Sequence, residues 1–151
     1  MSNIESSYRR DANGVPITNP LGLMLSKTIT YAALTTGAVA VVDLFTVTGD
    51  VMVNIFAICS DDLTSGGGAT IEVGITGNTP ALIAQSVATT IDKGEIWTAT
   101  NPPTVVAVPS LFILTGTNIQ QKVATTTITG GTLKYYCFWQ PLSDDGNVVA
   151  A

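Results

Sequence analysis

The segment that most constrains the fold is Gly130-Gly131-Thr132-Leu133-Lys134-Tyr135-Tyr136-Cys137-Phe138-Trp139-Gln140-Pro141-Leu142. A double glycine opens it, Pro141 closes it, and the alternation between them predicts a single β-strand. Period two puts Leu133, Tyr135, Cys137 and Trp139 on one face and Lys134, Tyr136, Phe138 and Gln140 on the other. The first face is apolar throughout and can anchor a core. The second holds two rings between polar residues. Its expected cover is a second layer, either the N-terminal segment or a neighbouring copy.

The same code recurs along the chain. From Lys27, Ile29, Tyr31 and Ala33 alternate with Thr28, Thr30 and Ala32, and a second run spans Ala40 to Val47. Val51 to Cys59 is the most apolar: Val51, Val53, Ile55, Ala57 and Cys59 line one face, with Met52, Phe56 and Ile58 on the other. It is expected to be covered on both sides. Ser60 to Gly68 reads as a polar loop, Ile71, Val73 and Ile75 as a half-exposed strand, and Gly77 to Pro80 as a turn. Ala81 to Ile91 stays open between a short helix and a strand. Short apolar runs follow at Val105–Val108 and Leu111–Leu114. The Thr-rich run Ile119–Ile128 is expected to form a hairpin through Gly130-Gly131 with the aromatic strand.

Eight or nine short strands between Gly, Pro and Asn turns predict an all-β fold, an antiparallel β-sandwich or jelly roll. At 151 residues there is room for one core. Residues 1–25 contain two turn clusters and no periodic run, so they are expected to form an extended N-terminal arm on a sandwich domain of residues 26–151. Charged residues make up only 11% of the chain, against about a quarter in an average protein, so part of the surface is expected to be covered in an assembly.

Charge and residue inventory narrow the chemistry. The net charge is −5, and no basic cluster exceeds Arg9-Arg10, which argues against direct nucleic-acid binding. No apolar run approaches the ~20 residues of a membrane helix, and the N-terminus lacks the apolar core of a signal peptide. The expectation is a protein made in the cytoplasm with no membrane contact. Absence of histidine removes Ser-His-Asp and Cys-His catalysis and imidazole metal sites. Cys59 and Cys137 lie in apolar strands and are expected to be buried free thiols. Asp43, Asp50, Glu72, Asp92 and Glu95 show no pairing suited to acid–base work. Gly66-Gly67-Gly68 lacks the Lys-Ser/Thr of a phosphate loop. Asp61-Asp62 and Asp144-Asp145 lack the acid spacing of a calcium loop. Trp97 and Trp139 could form a sugar-stacking shelf, although one tryptophan in each core region fits better. No enzyme, cofactor or metal is expected.

Two stretches carry a resemblance. Ser7-Tyr8-Arg9-Arg10-Asp11-Ala12-Asn13-Gly14-Val15-Pro16-Ile17 resembles the N-terminal arm of small structural proteins of tailed bacteriophages. The ending from Tyr136 to Ala151 is similar to that of virion proteins of cyanobacterial and marine phages, and Glu72–Gln85 and Ile91–Trp97 share the likeness. The resemblance implies a capsid decoration, or cement, protein on the outer surface of the capsid. Such a protein is a β-sandwich, commonly a homotrimer, that stabilises the head by binding the major capsid protein, and the family brings no catalytic residues. The partner contacts expected here are Tyr8, Arg9, Arg10 and Asp11 on the arm and Tyr136 and Phe138 on the strand. Stable interfaces bury ~1,600 Å² in total, and an arm adds area without enlarging the core. The alternatives are a receptor- or carbohydrate-binding module of a head or tail fibre and, third, a component of the tail tube or connector.

Overall fold

The computed structural model describes residues 9–10, 16–17, 23–99, 101–106 and 111–151, with backbone alone at the first two pairs. The chain is an all-β antiparallel sandwich. Arg9–Arg10 (β1) and Pro16–Ile17 (β2) pair with each other. The sandwich strands are Leu23–Thr30 (β3), Val41–Thr48 (β4), Asp50–Ser65 (β5), Thr70–Ile75 (β6), Asn78–Val87 (β7), Ile96–Trp97 (β8), Phe112–Thr115 (β9), Ile119–Ala124 (β10), Ile128–Pro141 (β11) and Asn147–Ala150 (β12). One sheet runs β3-β11-β5, with β8 and β9 sharing the far edge of β5; the other runs β12-β4-β10-β6-β7.

β11 is the central strand of the first sheet. Its full length pairs with β5, from Ile128↔Ser65 to Pro141↔Val51, and β3 covers its other edge from Thr132↔Thr30 to Trp139↔Leu23. The inward row is Leu133, Tyr135, Cys137 and Trp139, all buried, as the alternation requires. It meets Phe45, Val47, Ile71, Val73, Ile119 and Val123 of the opposite sheet in one core. On β4, Leu44 and Phe45 are both fully buried although adjacent in sequence. Pairing passes from Ile119↔Phe45 to Gln120↔Asp43, so Leu44 is the extra residue of a bulge that turns two consecutive side chains inward.

A polar knot ties the sheets inside this core. The hydroxyls of Tyr31 and Tyr135 each donate to Gln121 Oε1 at 2.8 Å. Burial raises both phenols well above their usual range. Trp97 is fully buried, donates Nε1–H to Ser86 Oγ at 2.8 Å, and meets Tyr135 edge-on at 6.3 Å. The two free cysteines are buried, as expected. Cys137 pairs in register with Ile55 and Leu133 with Cys59, which sets the cysteines four rungs apart, ~14 Å, beyond disulfide reach. Burial lifts the Cys59 thiol to about 11 and the Cys137 thiol to about 12.

Several local expectations are corrected. β10 and β11 do not form a hairpin: they belong to different sheets, and the chain crosses between them at Thr125, whose φ of 70° ends the alternation. Gly130-Gly131 lies inside β11, where the register with β5 shifts. Gly131 has φ 103°, and a Cβ there would come within 2.4 Å of the Asp62 carbonyl, so the glycine permits an irregular rung instead of a turn. Ser60 to Ser65 continues β5, because β11 supplies a pairing partner for this polar stretch. Ala81–Val87 is strand, followed by a single 3-10 turn at Ala88–Thr90, so the helical option for this segment fails. Pairing in β3 begins at Leu23, ahead of Lys27. The outer side chains of β5 are only partly covered. Lys27 points toward the other sheet, and its ammonium donates to the backbone carbonyls of Asp43 and Ala151. Among the described residues, no helix is long and apolar enough to cross a membrane.

Candidate interaction surface

The outward faces of the two sheets present different chemistry. On the β12-β4-β10-β6-β7 sheet the outer face combines bonded polar groups with three exposed valines, Val41, Val87 and Val149. Glu72 is 4% exposed; it accepts from Thr79 Oγ1 at 2.5 Å and Gln85 Nε2 at 3.3 Å and pairs with Lys122 at 3.2 Å. Asp43 accepts from Asn118 Nδ2 at 2.9 Å and Gln120 Nε2 at 2.7 Å.

The β3-β11-β5 sheet turns out the second face of the aromatic strand. Register sets Tyr136 directly opposite Phe56 and Phe138 opposite Asn54, with Met24 across from Phe138 on β3. Phe56 stacks on Tyr136 with centroids 5.4 Å apart at 18° and on Phe138 at 6.1 Å and 20°. Nearly parallel rings this close are offset stacks. Lys134 adds its ammonium 5.1 Å from the Tyr136 centroid. The result is a column of three rings and a cation in which the rings cover each other in part, so all three are half-buried. Around it lie Met52, Ile58 and Ile96, with Met24 and Ile113 prominently exposed at 53% and 70%.

Sequence alternation finds Tyr136 and Phe138 on this face and places Phe56 on the outer side of its own strand. Their meeting depends on cross-strand register. Of the expected arm contacts, Tyr8 and Asp11 lie outside the described residues, and Arg9 and Arg10 are described only as backbone paired with Ile17 and Pro16. The apolar run Val105–Val108 also lies partly outside them. Trp97 and Trp139 point into the core and form no shelf. Asp62 Oδ1 accepts the Lys93 N–H at 2.6 Å, and Asp145 Oδ1 accepts the Ser143 hydroxyl at 2.7 Å, so each acidic pair has a carboxylate bonded within its own corner. Among the described residues, no three Cys, Asp or Glu side chains gather as a metal site. No family model, curated protein or solved structure matches the chain.

Proposed function

We propose that the chain is a non-enzymatic virion structural protein, a capsid decoration (cement) protein made in the host cytoplasm and carried on the capsid's outer surface. The observation that supports this best is the Lys134–Tyr136–Phe56–Phe138 column, set beside the exposed Met24 and Ile113 on the outer face of one sheet. A large apolar patch rimmed by polar residues suits a protein contact. The resemblance of Ser7–Ile17 and Tyr136–Ala151 to phage structural proteins names the partner class, the major capsid protein. In this reading the Tyr8-Arg9-Arg10-Asp11 arm and the outer sheet face make the contacts. Few charges need desolvation, which lowers the cost of burying the face.

Binding to purified capsids tests the reading. The full chain should saturate them at hundreds of copies per particle, and a chain lacking residues 1–20 should stay folded yet fail to saturate. Undiminished binding by the truncated chain removes the arm from the contact, and a dozen copies or fewer moves the protein to the tail. The carbohydrate-binding alternative loses its best support with both tryptophans in the core.

A further inference from the structure

Sulfur is distributed unevenly over the fold. Cys59 and Cys137 lie on the inward rows of β5 and β11 and are buried free thiols. Burial keeps both protonated at neutral pH, with Cys59 raised to about 11 and Cys137 to about 12, whereas the thiolate is the form that oxidants attack. Met52 stands on the outer side of β5, between Gln140 of β11 and Ile113 of β9, and these flanks leave it half-buried. Met24 stands on the same outer face but on β3, the edge strand, where β11 covers one side only. Its sequence neighbours Leu23 and Leu25 pack against the core, so alternation turns the thioether out, 53% exposed. Among the described residues it is the one exposed sulfur; Met1 lies outside them.

We infer that Met24 is an oxidation site on the aromatic face: hydrogen peroxide converts its thioether to the sulfoxide ahead of the other described sulfurs. The sulfur donates an electron pair to one peroxide oxygen, a sulfur–oxygen bond forms and the O–O bond breaks. The departing hydroxide takes the proton shed by the transferred oxygen and leaves as water, so sulfur is oxidised and peroxide reduced. Met24 is directly opposite Phe138 in the β3–β11 register, and side chains so paired have Cβ atoms about 4.5–5.5 Å apart. The reaction therefore replaces an apolar sulfur, compatible with a ring, by a polar and chiral group beside Phe138 and its stack with Phe56. The core takes no part, because the side chain stays on the outer face. On the decoration reading, on which this consequence rests, the sulfoxide weakens the capsid contact.

A limited dose of hydrogen peroxide given to the folded full chain, followed by digestion and residue-level mass spectrometry, tests the inference. One oxygen should appear at Met24 several-fold faster than at Met52, with both cysteines unmodified and the circular dichroism spectrum unchanged. In urea the difference between these two methionines should vanish, since burial alone separates them. Equal rates at Met24 and Met52 in the folded chain, earlier oxidation of either cysteine, or the same ordering in urea overturns the inference. The treated protein should bind purified capsids more weakly, by about fivefold or more, and Met24→Leu should make binding insensitive to the same dose. Oxidation at Met24 with capsid binding undiminished keeps the site and counts against the outer face's part in the decoration reading alone.

Discussion

The two outer faces grow from the same alternation, yet they handle their polar groups in opposite ways. On the β12-β4-β10-β6-β7 sheet, Glu72 and Asp43 are each held by two or more donors of the same chain, beside the exposed Val41, Val87 and Val149. On the β3-β11-β5 sheet the three rings stack on one another and stay half-buried. A sandwich needs one buried side per sheet. The second side is open to selection, and here one carries bonded carboxylates and the other a stacked aromatic column.

The largest expected effect treats both faces alike, because both rest on one core. Above pH 9 unfolded cysteines, and above pH 10 unfolded tyrosines, lose protons that Cys59, Cys137, Tyr31 and Tyr135 retain in the fold. Their raised values make this stability complete below pH 9 and lost as pH climbs through 11 to 12 for the thiols, with the phenols adding to the loss at higher pH. The total should be several kcal/mol. Urea unfolding at pH 8 and pH 11 should show this fall, and equal midpoints would contradict the burial of these groups.

Next comes Glu72→Ala. It strips three partners from a buried carboxylate site, and should cost about 2 kcal/mol in urea titrations while leaving binding to capsids unchanged. Phe56→Ala removes the middle ring of a half-buried stack and should cost about 1–2 kcal/mol. Unlike Glu72→Ala, it should also weaken binding to capsids. If Phe56→Ala left binding to capsids untouched, the aromatic column would have no part in the proposed contact. The smallest effect belongs to Lys134→Met, about 0.5 kcal/mol in monomer stability from the lost cation–π contact. Its signature is weaker binding to capsids with a nearly unchanged melting curve.

Strand faces were legible wherever local alternation was strong: the inward sets of β5, β6 and β11 emerge from Val51–Cys59, Ile71–Ile75 and Leu133–Trp139. Pairing was not legible. Ser60–Ser65 carries no apolar alternation and is a strand only because β11 lies beside it. The double glycine imitates a turn, whereas its real role is to let the backbone pass the Asp62 carbonyl. The break at Thr125 turns on one residue's left-handed backbone, which a β-branched side chain does not advertise. The interaction surface was half visible for the same reason. Tyr136 and Phe138 share a strand, but Phe56 joins them across 80 residues of chain through register alone.

Lys27 guards the edge of its sheet. β3 is an edge strand, and an edge offers unpaired amides to any extended segment that drifts past. Its one charged side chain is turned inward and bound to the carbonyls of Asp43 and Ala151. A strand from another molecule docking here would have to enclose that ammonium, and a ribbon growing molecule by molecule would meet the same obstacle at each step. Growth of a ribbon by this edge is thereby disfavoured.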